Sequence, residues 1–241
     1  MNAFCVLSSN RIAPFGDLVS EVRVGARTLA EAQKAALVEA GFRLLDEAPT
    51  SGPVLLFSDR TWFTPAVLAA LRAVGQGRAK IEDEGWIDWL DPMQDIADRG
   101  VYEIGISTDG VVPFSDLKPV VLDLKFHDLE LDSPHPSMAH AYDRPFRVGP
   151  GMIQQIDHWS HIVRVNHLCL AARMETARQD WENAGVIGRF FRVLGILWRA
   201  RSLNGWKIAS ALTERGKDVK VHPTAVVEFS VLGDGCDIGP H

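Results

Sequence analysis

Four short units close the chain: Val221-His-Pro-Thr-Ala-Val, Val227-Glu-Phe-Ser-Val, Leu232-Gly-Asp-Gly-Cys-Asp and Ile238-Gly-Pro-His. Each begins on a branched aliphatic residue, and a small residue (Ala225, Val231 or Cys236) follows four places later. This is a hexapeptide pattern with one shortened unit. It describes a triangular prism in which the aliphatic residue points inward and the small residue fits where the wall tightens. Three units make about one coil, so 218–241 reads as the first coil of a left-handed parallel β-helix. The other reading is a plain β-meander turning at Gly233 and Gly239. One coil does not bury its own core, because repeats are stabilised by their stacked neighbours. The pattern is therefore expected to run on past His241.

The first third alternates strands and helices. Ala3–Leu7 and Val54–Phe57 are compact apolar runs of strand length, ended by Ser8-Ser9-Asn10 and Ser58-Asp59. Thr28 and Glu31 form a capping box for a helix reaching Ala40, with Gly41 as its stop. Thr64 is placed to cap a second helix, with Pro65 at its first position and Gly75 at its end. Strand–helix–strand–helix order predicts an α/β layer with a largely parallel sheet. Ligands of such sheets bind at the carboxyl ends of strands, here 8–11 and 58–60. Further on, Val101–Ser107 and Val120–Phe126 read as strands and Leu129–Phe146 as a loop. A helical pattern starts at Ile153 and carries Val163, Asn166, Leu170, Ala171 and Met174. Helices are also expected over 186–203 and 207–213. The predicted organisation is an α/β domain over 1–180, a helical linker over 181–217 and the β-helix start over 218–241.

The formal net charge of -6 argues against a general nucleic-acid partner, which needs a basic face. Cys5, Cys169 and Cys236 form no CxxC pair, so neither a zinc knuckle nor a disulfide framework is suggested. The N-terminus lacks the charged and apolar regions of a signal peptide. No apolar run approaches a membrane span. The expected compartment is the cytoplasm.

The order of α/β domain, helical linker and hexapeptide β-helix resembles the bifunctional N-acetylglucosamine-1-phosphate uridyltransferases and related sugar-nucleotide pyrophosphorylases. Three segments carry the resemblance beside the tail: V-L-S-S-N-R at 6–11 with V-G-A-R-T-L at 24–29, L-L-F-S-D-R-T-W-F-T-P-A-V-L-A-A-L at 55–71, and V-N-H-L-C-L-A-A-R-M-E at 165–175. The resemblance implies a Rossmann-like nucleotidyltransferase domain with a mostly parallel sheet. It would transfer a nucleotidyl group from a nucleoside triphosphate to a sugar phosphate. It implies Mg2+ as cofactor, held by Asp59 and Asn166. Ser8, Ser9, Asn10, Arg11 and Arg27 would bind the nucleotide, with Arg11 and Asp59 catalytic. It also implies a homo-oligomer, a trimer, in a longer natural protein.

The sequence departs from that family in three places. About 40 residues between the first helix and the Asp59 strand are absent, where the family reads the uracil base. No glycine lies between Ser8 and Pro14, where the family brings backbone N–H groups close to a triphosphate. The stretch Val19-Ser20-Glu21-Val22 has no lysine where the family keeps one. Arg11, Arg23 or Arg27 would have to substitute. The alternative is therefore a catalytically degenerate module that serves assembly or regulation of a β-helix acyltransferase. The missing glycines and lysine lead to an expectation of weak nucleotide binding and slow or absent turnover.

Three other groupings have plainer explanations. His127, Asp128, Asp132, His135 and His140 match no standard zinc spacing and read as a histidine-bearing loop. His158 and His161 are two ligands at most. Arg189, Arg192, Arg199 and Arg201 interleave with Phe190, Phe191, Leu194, Leu197 and Trp198. A linker helix buried between domains or subunits is the expectation there, ahead of a membrane-surface helix.

Overall fold

The structure is a computed structural model that describes residues 1–8, 11–90, 100–129, 146–227 and 230–240. The chain divides into two compact units, Met1–Glu175 and Thr176–His241.

The first unit is built on six strands: β1 (Asn2–Val6), β2 (Arg43–Leu45), β3 (Val54–Ser58), β4 (Gly77–Lys80), β5 (Val101–Ser107) and β6 (Pro119–Val121). They lie in the order β6-β4-β5-β3-β1-β2. β1 runs parallel to both β2 and β3, and β6 runs parallel to β4. β5 alone is antiparallel to its neighbours β3 and β4. The unit is thus mixed α/β with a mostly parallel sheet. β3 is buried throughout, as a continuous apolar run in a central strand should be.

Two helices connect the early strands. α1 (Leu29–Glu39) opens on the expected capping box: the Glu31 amide donates to the Thr28 hydroxyl at 3.2 Å, and the Thr28 amide donates to the Glu31 carboxylate at 2.8 Å. α2 (Pro65–Val74) begins at Pro65, but Thr64 does not cap it. The Thr64 hydroxyl instead donates to the Pro150 carbonyl and accepts from the Met152 amide. One face of the sheet (Ala3, Leu55, Phe57) joins α1, α2 and later Val165 and Leu168 in the main core. The opposite face (Phe4, Val54, Leu56) is covered by Val112, Phe114 and Leu117.

Some expected boundaries move, each because of pairing. β6 ends at Val121 and not at Phe126: its partner β4 ends at Lys80, whose carbonyl takes a last bond from the Leu122 amide. Ile153–Gln155 is a strand paired with Thr61–Phe63, so the helical pattern begins later, as α4 (Trp159–Asn183). A short helix, α3 (Glu84–Leu90), lies in the segment where the sequence pattern is weakest.

In the second unit α5 (Val186–Ala200) and α6 (Gly205–Ala211) follow the end of α4. Then come two parallel strand pairs. Glu214–Arg215 pairs with Val231–Leu232, and Lys220–Val221 pairs with Asp237–Ile238. Val221, Ala225, Val227, Leu232, Cys236 and Ile238 are half-buried, and none is fully buried. Among the described residues no helix is long and apolar enough to cross a membrane.

Candidate functional site

β1 is followed in the chain by β2 on one side of it and then by β3 on the other. The connections leaving β1 and β3 therefore lead toward opposite edges of the sheet. Open α/β sheets bind ligands at such switch points. Ser8 and Asp59 stand there. The Asp59 amide donates to the Val6 carbonyl at 3.2 Å, fastening the turn after β3 to the end of β1. The Ser8 amide and hydroxyl donate to Asp59 Oδ1 at 3.0 and 2.6 Å. The Ser58 hydroxyl reaches the same oxygen at 3.4 Å. Asp59 is buried. Burial and the Asp59 charge push the Cys5 thiol, one strand away, up to about 12, so it is protonated at neutral pH.

Groups that no local motif announces fix the turn around Asp59. Gln33, buried on α1, donates to the Ser58 and Thr61 carbonyls at 3.0 and 2.8 Å. Arg60 forms a fork on Glu103, Nη2 to Oε1 at 2.5 Å and Nε to Oε2 at 2.7 Å, and also pairs with Asp157. Burial would raise the Glu103 carboxyl, but the hydrogen bond and charge of Arg60 outweigh it and hold Glu103 below its usual range. The Arg60 guanidinium is pushed up by the same contacts, first by the Glu103 hydrogen bond. Its charge is thus spent inside the domain. One signal for Gln33 is present in the sequence: it shares the α1 stripe of Leu29, Ala36 and Leu37, an apolar face interrupted by one amide. Arg60, Glu103 and Asp157 are far apart in the chain, and nothing local marks them as a group.

Arg11–Ile12 pairs with Asp17–Leu18 in a tight hairpin, and the Arg11 guanidinium donates to the Gly16 carbonyl at 2.6 Å. The Trp159 amide donates to the Ala13 carbonyl at 3.3 Å, and the Ile156 amide to the Arg60 carbonyl at 2.8 Å. These bonds bring the start of α4 beside both loops. There His161 is buried, and its Nδ1 accepts from the Asp157 and His158 amides at 3.0 and 3.2 Å. It satisfies helix-start donors, with the ring proton on Nε2, a structural role in place of a metal-ligand one.

The other candidates lie as follows. Arg27 is exposed on a small hairpin formed by Arg23–Val24 and Arg27–Thr28. At its turn Gly25 adopts φ +64, a conformation suited to glycine. The Gly25 amide donates to Asn166 Oδ1 at 2.6 Å, and Asn166 Nδ2 donates to the Ile162 carbonyl at 2.9 Å. The structure thus brings Ser8 to Asp59, and Asn166 to the hairpin of Arg27. Ser9 and Asn10 lie outside the described residues, as do Asp132, His135 and His140. Of that last cluster His127 and Asp128 are described, in a strand paired with Phe146–Val148, and Asp128 accepts from Arg147, which also pairs with Asp83.

Magnesium asks for one or two carboxylates and takes its remaining ligands from phosphates and water. Among the described residues no group of three or more His, Cys, Asp or Glu could cage a metal. The described hydrogen bonds of Asp59 all converge on Oδ1, so Asp59 fits as one carboxylate ligand. Asn166 fits less well, because its carbonyl oxygen already holds Gly25. In comparisons with known proteins, the chain matches no family model and no curated protein.

Proposed function

We propose that the first unit is a sugar-1-phosphate nucleotidyltransferase-like domain, a pyrophosphorylase. It binds a nucleoside triphosphate with Mg2+ across the carboxyl ends of β1 and β3. The observation that carries the reading is the place of Asp59, a buried carboxylate at the switch point of a mostly parallel sheet, beside the loop after β1. A phosphate oxygen of the sugar phosphate attacks the α-phosphorus, and pyrophosphate leaves. Such transfers need positioning and charge neutralisation more than a side-chain nucleophile. Asp59 holds the cation, which neutralises phosphate charge when bound. Arg11 and Arg27 add positive charge, and Ser8, Ser9 and Asn10 are the proposed nucleotide contacts.

A second reading has its own support. Both Ser8 donors point at Asp59, and the Arg11 guanidinium is turned back to its own loop at Gly16. That arrangement favours a catalytically degenerate module serving a β-helix acyltransferase. The β-helix itself is supported by the register of the tail. Val221 pairs with Ile238, and these residues begin hexapeptide units separated by one full set of three. The same advance of 17 residues relates Glu214 to Val231 and Arg215 to Leu232. Parallel pairing at a constant advance is the signature of a coil and not of a meander, whose neighbours are antiparallel. A complete helix of this kind would assemble as a homotrimer.

A thermal-shift screen of nucleoside triphosphates with and without magnesium tests the two readings. A ligand at about 100 times its dissociation constant adds about 2.7 kcal/mol to stability. A magnesium-dependent shift accompanied by pyrophosphate release on adding a sugar 1-phosphate supports the enzyme. A shift without release supports the degenerate module. No shift with any nucleotide removes the enzyme and leaves the degenerate module.

A further inference from the structure

Within this chain α5 buries none of its residues. Val186 is 84% exposed, Trp198 77%, Ile187 73%, and Phe190 and Phe191 63% each. At about 100° per residue, Val186, Ile187, Phe190, Phe191, Leu194 and Trp198 fall on one continuous arc of the helix. Gly188, Arg192, Gly195 and Arg199 fall on the opposite arc. This face is large and aromatic, unlike scattered surface apolar residues.

Charge decides what fits against it. From Ala184 to Thr213 the sequence contains Arg189, Arg192, Arg199, Arg201 and Lys207 and not one Asp or Glu, although the whole chain carries a net charge of -6. Arg189 is engaged locally, donating to the Trp181 and Glu182 carbonyls at the end of α4. Arg192, Arg199 and Arg201 are exposed. A second copy of this helix would bring like charges together. An anionic lipid surface would instead meet the arginines with opposite charge and accept the Phe, Leu and Trp side chains at the level of its headgroups. An amphipathic helix with a basic polar face and Trp, Phe and Leu on the other is the kind that lies in a membrane interface. At 15 residues, α5 is too short to span and long enough to lie flat over about 22 Å.

We propose that α5 docks this protein onto anionic membrane surfaces, lying in the plane of the headgroups with Phe190, Phe191, Leu194 and Trp198 inserted. The proposal is independent of the activity of the first unit.

Vesicle co-sedimentation tests it on the full chain. Vesicles of phosphatidylcholine alone are compared with vesicles of phosphatidylcholine and phosphatidylserine. Binding is expected to the anionic vesicles and to fall with added salt. Phe191→Ser with Trp198→Ser should weaken it by about tenfold or more, since both side chains leave the inserted face. Arg192→Glu with Arg199→Glu should weaken it by a similar factor and abolish the preference for phosphatidylserine. All four positions are exposed, so circular dichroism and the unfolding midpoint should stay unchanged. Absence of binding, equal binding to neutral vesicles, or unchanged binding by both double variants would overturn the proposal. So would light scattering that shows a dimer dissolved by Phe191→Ser with Trp198→Ser, because a second copy would then own the face.

Discussion

Ser8 meets Asp59 twice, its amide at 3.0 Å and its hydroxyl at 2.6 Å, and both donate to the same carboxylate oxygen. The end of β1 and the turn after β3 are thereby locked together at the carboxyl end of the sheet. Ser8→Ala removes the hydroxyl bond and keeps the amide bond. A hydrogen bond to a charged group contributes about 1.5–3 kcal/mol, and partial exposure brings the expected loss to about 1 kcal/mol. Urea unfolding reads the loss.

Gln33 holds the same turn from the helix side. Gln33→Leu keeps the volume and removes both donors to the Ser58 and Thr61 carbonyls. The expected cost is about 1–3 kcal/mol, measured as a lower urea midpoint at unchanged m-value. A neutral result would show that these carbonyls are satisfied without Gln33.

Much of the α/β layer is legible in the sequence because its signals are local. The capping box at Thr28 and Glu31, the apolar run of β3 and Pro65 at a helix start each lie within a few residues. What is not legible depends on pairing at a distance. β6 stops where β4 stops, and Thr64 serves the strand after Pro150 in preference to its own helix. The site shows the same division. Asp59 at a strand end is readable, whereas Gln33, Arg60, Glu103 and Asp157 converge from four elements. Asn166 is readable as a polar residue on the helix, but its bond to Gly25 spans a sequence separation of 141 and leaves no local trace.

Arg60 should matter for stability rather than for ligand charge. Arg60→Met leaves Glu103 and Asp157 without their cation. Glu103 would then be governed by burial, and its carboxyl should move up from its present lowered position. A stability loss of about 1–3 kcal/mol is expected at neutral pH, below the range for fully buried pairs because the partners are partly exposed. In the intact protein the Glu103 contribution is present above the ordinary glutamate range. It is lost as pH falls through the lowered value. Stability of the intact protein should therefore drop more steeply in acid than that of Arg60→Met.

Alkali should act through buried acids. Burial raises Tyr102 from 10.0 to about 12, Cys5 from 9.0 to about 12 and Cys169 from 9.0 to about 11. The unfolded chain ionises first as pH rises. The stability tied to these groups is complete below their unfolded values and is lost progressively through their folded ones. Urea midpoints should thus decline between about pH 9 and about pH 12. Tyr102→Phe should flatten part of that decline while losing the bond from Trp86 Nε1.

Calorimetric titration of a nucleoside triphosphate in magnesium, on the intact chain and on Asp59→Asn, bears most directly on the proposed site. The amide keeps the size of Asp59 but removes its charge and weakens it as a ligand to a hard cation. The expected result is weak, magnesium-dependent binding by the intact chain and a loss of about tenfold or more in Asp59→Asn, about 1.4 kcal/mol. The variant should keep the circular dichroism of the intact chain. Equal affinity in the two proteins, or binding indifferent to magnesium, would contradict a cation site at Asp59 and with it the nucleotidyltransferase reading.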